Sequence, residues 1–195
     1  MKLYKIYSRA IGLLFALSLL CVGCENEDIL DINDLEISPS NPESVIIVEP
    51  DDGITSVNAL TRAINENGDA TYILRRDGVY YMEGKNVFKH NVVIKAENGS
   101  GKMPIIQPIC DAQGALNADM IRLEGSATFE NIYIIGKDAA TGNLMQRLFR
   151  IDESNVRLKF DHCFIDHCRN FCIRTDNVNN KIYLNNSTIR NLALT

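Results

Sequence analysis

Three arginines occupy matching places in three short runs of this sequence: Arg122 between Ile121 and Leu123, Arg150 between Phe149 and Ile151, and Arg174 between Ile173 and Thr175. Each is followed two residues on by a carboxylate, Glu124, Asp152 or Asp176. If the runs are β-strands, alternation turns the flanking residues inward and sets each arginine and its carboxylate on one outer face. Guanidinium groups stacked about 5 Å apart repel by about 0.8 kcal/mol in water and about 3 kcal/mol at an effective dielectric of 20. The carboxylate column can offset that repulsion by itself, giving a mutually neutralising surface. The other chemistry open to such a row is recognition, because a guanidinium fork grips planar anions bidentately. Arg122, Arg150 and Arg174 are therefore the candidate substrate-binding residues, for the carboxylate or sulfate groups of an anionic ligand.

A second cluster invites a metal-site reading. Asp161-His162-Cys163 and Asp166-His167-Cys168 repeat the same three residue types, and Cys172 follows. Cys and His suit zinc, but Cys163 and Cys168 do not make a CxxC pair. Core thiols with exposed histidines are expected instead, and neither a metal nor any other cofactor. A disulfide among Cys110, Cys163, Cys168 and Cys172 stays open, since export would permit one and the sequence cannot choose the pair. His90 shows no recognisable partner and reads as a surface loop residue. Asn98 and Asn186 open Asn-x-Ser/Thr triplets that read as turn and bend positions.

The elements that must hold the arginines follow from repetition. Residues 129–136, 160–167 and 184–191 align without gaps, at offsets of 31 and 24. Each unit runs apolar, acidic or amide, then Asn131, His162 or Asn186, with an isoleucine at the sixth place. The arginine runs interleave with this series at offsets of 28 and 24. Two strand types advancing together are expected of a solenoid, whose equivalent strands stack about 4.8 Å apart, like on like. One wall would bury Ile121/Leu123, Phe149/Ile151 and Ile173/Thr175, and another Ile132/Ile134, Cys163/Ile165 and Ser187/Ile189. Asn131, His162 and Asn186 would take matching bends. Earlier, the apolar spacing across residues 54–64 predicts an amphipathic helix capped by Thr55 or Ser56 and stopped by Gly68. Short strands follow at 71–74, 79–82 and 92–95.

The N-terminus differs in kind. Lys2, Lys5 and Arg9 precede an apolar run over residues 10–20, the layout of a secretory signal and too short for a membrane span of about 20 residues. The stretch from Leu20 to Cys24 resembles the lipobox of bacterial lipoproteins, although Cys21 stands where that family usually carries an aliphatic residue. The resemblance implies lipidation of Cys24 and anchorage in the outer membrane, at the cell surface, because Glu25, Glu27 and Asp28 resemble a surface-export signal. The expected organisation is a signal peptide over 1–23, an acidic tether over 24–52 and one folded domain over 53–195. The chain of 195 residues is 46% hydrophobic and 23% charged, which fits one such domain. Its net charge of −5 excludes the basic face that a nucleic-acid partner would need.

Residues 56–108 resemble the N-terminal cap and first coil of pectate-lyase-like right-handed parallel β-helix proteins: helix, Gly68-Asp69, an apolar strand at 72–74, the turn Gly78-Val79-Tyr80, and a strand region over 92–106. The resemblance implies an all-β parallel β-helix with a short capping helix, and a polysaccharide as partner. That superfamily includes lyases, which need a cation to neutralise the uronate carboxylate and a base to take the C5 proton. The arginine row could supply the cation, but no base can be placed, so catalysis by this chain alone is not expected. A purely structural or adhesive surface protein is the rival reading. With no cap after the third repeat, the chain is further expected to be the N-terminal part of a longer solenoid.

Overall fold

The computed structural model describes residues 44–192. The signal segment, Cys24 and most of the expected tether lie outside the described residues. Fifteen strands form three parallel walls. The first wall holds, in order, β1 (Val45–Val48), β2 (Ala70–Leu74), β5 (Val92–Ala96), β8 (Ala127–Glu130), β11 (Arg157–Asp161) and β14 (Lys181–Asn185). The second holds β3 (Val79–Glu83), β6 (Ile105–Ile109), β9 (Tyr133–Ile135), β12 (Phe164–Cys168) and β15 (Thr188–Leu192). The third holds β4 (Val87–Phe88), β7 (Asp119–Leu123), β10 (Arg147–Ile151) and β13 (Phe171–Thr175). From β2 onward the chain visits the walls in that order, and each strand pairs with the equivalent strand of the next coil; between β1 and β2 only the helix intervenes. This is the expected all-β parallel β-helix.

Register shows why the sequence repeats. In the first wall Ile46, Tyr72, Ile94, Phe129, Phe160 and Leu184 form one column. The Phe129 and Phe160 rings stack at 5.5 Å with 17° between planes, and Phe149 from the third wall meets both edge-on at 5.4 and 5.2 Å. The anticipated bend residues Asn131, His162 and Asn186 all have positive φ, 57°, 52° and 49°. Asn tolerates this left-handed conformation because its short side chain can bond locally, and a periodic Asn or His is what a stacked corner demands. The longer step in the repeat is the segment between β9 and β10. It folds on Asp138, whose buried carboxylate accepts the N–H groups of Cys110, Ala140 and Thr141 at 3.1, 3.0 and 2.6 Å.

The N-terminal end differs from expectation in two ways. The ladder begins at Val45 rather than 53, because β1 pairs in parallel with β2. The helix, α1, is Ala59–Asn67, with Asn58 rather than Thr55 or Ser56 at its N-cap. Asp52 is the cause: its Oδ1 accepts the N–H groups of Ile54, Thr55 and Ser56 at 2.8, 2.7 and 2.8 Å and winds 52–56 into a carboxylate-centred turn. Ile54 is left 90% exposed, and Leu60 and Ile64 carry the buried face. Gly68 ends the helix as expected, its N–H reaching the Ile64 carbonyl at 2.9 Å. The helix touches strands of all three walls and so covers the first coil.

Candidate functional site

The third wall brings the three arginines together. Arg150 pairs in register with Arg122 on one side and Arg174 on the other, while Phe149, Ile151 and their partners point inward. Strand spacing alone would set the guanidinium groups in mutual repulsion. Carboxylates relieve it by reaching across coils. Asp152 receives Arg122 Nε at 2.5 Å from the preceding coil and Arg150 Nε at 2.8 Å from its own. Asp176 receives Arg174 Nη2 at 3.1 Å and lies 3.9 Å from Arg150 Nη2. Beside them Arg147 pairs with Asp119 of the coil before. Asp152 is only half-buried, which by itself would raise its pKa; the hydrogen bond and charge of Arg122, then those of Arg150, outweigh burial and hold the carboxyl below its usual range. Arg122 is correspondingly driven further toward its charged form by Asp152.

This arrangement has two chemical consequences. Charge on the wall is internally compensated, so it is not a bare cationic stripe. Yet Asp152 takes only the Nε nitrogen of Arg122 and of Arg150, which leaves their Nη1/Nη2 edges able to meet a planar anion, whereas Arg174 already gives Nη2 to Asp176 and offers Nη1 and Nε. The side chains stay 28%, 31% and 41% exposed from Arg122 through Arg174.

The Asp-His-Cys repeats resolve into core and corner. Cys163 is buried, its thiol donating to the Phe129 carbonyl at 3.3 Å, and burial pushes its pKa up to about 11. Cys168 is also buried, and all four described cysteines are free thiols. His162 is exposed at its bend, whereas His167 is only half-exposed, with Nδ1 2.8 Å from Asp166. Among the described residues no three His, Cys, Asp or Glu side chains gather as a metal site. His90 does have a partner, contrary to expectation: Nδ1 lies 3.2 Å from Asp69 Oδ1.

One cluster went unread in the sequence. On the outer face of the second wall Asp166 is almost fully buried and accepts the Tyr133 hydroxyl, Asn191 Nδ2 and Arg190 Nε. Burial works against ionisation there, but those three bonds and the nearby His167 keep its pKa low. The signal was available: extending the aligned units outward puts Tyr133 over Phe164 and Asp166 over Arg190.

No protein-family model and no curated protein matches the sequence. Among solved structures, a mutant of the PL6-family alginate lyase AlyGC is similar, with a TM-score of 0.56 and 19% identity. The match covers 80% of this chain and 21% of that one, so the chain spans about a fifth of the length of the enzyme. At that identity the likeness is one of fold, and it agrees with the parallel β-helix described above.

Proposed function

We propose that this chain is a lipid-anchored surface protein, held in the outer membrane through Cys24, whose β-helix binds acidic polysaccharide or helps to process it. The observation that carries this reading is the in-register row Arg122, Arg150, Arg174, repeated at strand spacing along one outer wall. A linear polyanion presents repeated carboxylates or sulfates, and a solenoid face presents repeated guanidinium edges to meet them. The fold likeness to an alginate lyase makes alginate the natural first probe. The β-elimination such an enzyme's name implies would require a base that this row does not offer, so binding is the activity assigned to this chain.

Isothermal calorimetry with an alginate hexasaccharide tests the reading. The Arg122→Ala/Arg150→Ala/Arg174→Ala variant should bind at least about tenfold more weakly, a loss of roughly 1.4 kcal/mol. Equal affinity in variant and parent would remove the row from the account. A second reading, a structural or adhesive protein with no glycan ligand, is favoured by the position of Asp152 between Arg122 and Arg150, where it offsets their mutual repulsion without any ligand. Absence of binding by the parent to alginate and to heparin would decide for it.

A further inference from the structure

The second wall carries an outward cluster that the arginine row does not use. Register stacks Tyr133, Phe164 and Thr188 in one outer column and Ile135, Asp166 and Arg190 in the next. Phe164, at the start of β12 and one strand in from the last described strand of its wall, is 39% exposed. The Tyr133 ring meets it edge-on, with centroids 6.1 Å apart and 70° between planes. The Arg190 guanidinium lies over one face of the Phe164 ring, 5.9 Å from its centre, and its side chain is 52% exposed, so a sugar would have to meet the remaining exposed part of that ring.

Behind these groups Asp166 fixes their positions. Its carboxylate accepts the Tyr133 hydroxyl at 2.7 Å, Arg190 Nε at 3.0 Å and Asn191 Nδ2 at 2.7 Å, and Arg190 Nη2 also reaches the Tyr133 oxygen at 3.3 Å. Burying a carboxylate is unfavourable unless it is paired and fully bonded. The equivalent place one coil earlier is filled by Ile135, so the stacking itself does not need an acid there. What Asp166 achieves is preorganisation: it pins one aromatic ring and one guanidinium beside an exposed second ring. That combination matches a particular ligand. A pyranose offers an apolar C–H face that packs on an aromatic ring, and an acidic sugar adds a carboxylate or sulfate at its edge for a guanidinium.

We propose that Phe164, Tyr133 and Arg190 form a subsite for a single acidic sugar unit, its ring face on Phe164 and its anionic group on Arg190. This deepens the polysaccharide reading and rests on it, but it occupies a different wall. β12 leads through only Arg169 and Asn170 into β13, so one glycan could follow the corner from this subsite to Arg174.

The test uses the full-length chain in detergent and an alginate hexasaccharide, with a neutral cellohexaose as the second arm. Phe164→Leu keeps apolar bulk but removes the planar face, and should leave the melting temperature close to that of the parent; Arg190→Gln removes the charge and should lower it, because buried Asp166 loses its cationic partner, so binding is measured well below its melting temperature and circular dichroism checks that it is folded. Each should weaken alginate binding about tenfold. Arg190→Gln should leave any cellohexaose binding unchanged. Saturation-transfer NMR should carry magnetisation from the Phe164 ring to sugar ring protons in the parent and not in Phe164→Leu. If both variants bind alginate like the parent while the triple arginine variant of the third wall does not, the subsite is wrong and the wider reading stands. If the parent binds no acidic glycan, both fall. Should Arg190→Gln weaken cellohexaose as much as alginate, the anionic specificity is refuted.

Discussion

At the scale of single residues, the informative feature is how charge is shared. The alternation of arginine and carboxylate was legible in the sequence, and so was its consequence that both face outward. The sequence could not say that Asp152 would serve the arginine of the preceding coil, since that depends on side-chain reach across a register. Asp166 was legible only as an outward acid aligned with Ile135 and Arg190; its burial comes from the side chains of Tyr133, Arg190 and Asn191 that close over it. The depressed pKa of Asp152 makes a pH prediction. A carboxyl whose folded pKa lies below its unfolded value of about 3.9 contributes stability fully above that value and loses it as pH falls through the folded pKa. Asp152→Asn should therefore cost about 1 kcal/mol at neutral pH and nothing once the acid limb is passed, because each exposed pair is worth roughly 0.2–1 kcal/mol. Urea titrations of parent and variant from pH 7 to pH 2.5 would show it as two stability curves that converge in acid; parallel curves would mean that the pairs add no stability.

At the scale of elements, what was readable depended on length and alternation. β2, β3 and β5 were found within a residue or so, since each alternates buried and half-buried places. β4 is only two residues long, and β1 sits beside Glu49-Pro50 in what reads as a linker, so neither left a periodic signature. The helix was displaced because a capping hydroxyl at Thr55 or Ser56 competes with Asp52, and the carboxylate gathered those N–H groups first. The load on an element interior is testable at Phe160, which touches both Phe129 and Phe149. Phe160→Ala should lower unfolding free energy by roughly 3–5 kcal/mol, the usual range for deleting a buried aromatic ring. Urea denaturation followed by circular dichroism measures it, and a loss below about 1 kcal/mol would contradict the stacked core.

At the scale of the whole molecule, the solenoid turns a short repeat into a surface with a period. Phe129 and Phe160 are fully buried, while Leu184 above them is 47% exposed on the last described coil. The architecture was recoverable because two interleaved series shared one advance, which parallel stacking requires and a hairpin fold does not. The glycan was not recoverable, because a neutralised arginine wall and a ligand-binding one share the same residues and differ only in what the exposed guanidinium edges meet. Arginine footprinting addresses that difference directly. The chain would be labelled with phenylglyoxal with and without saturating alginate hexasaccharide, and labelling read peptide by peptide. Arg122, Arg150 and Arg174 should lose label in the presence of the glycan, while Arg62 on the capping helix and Arg76 in the turn after β2 keep theirs. Unchanged labelling of the three under conditions where the glycan is bound would contradict it.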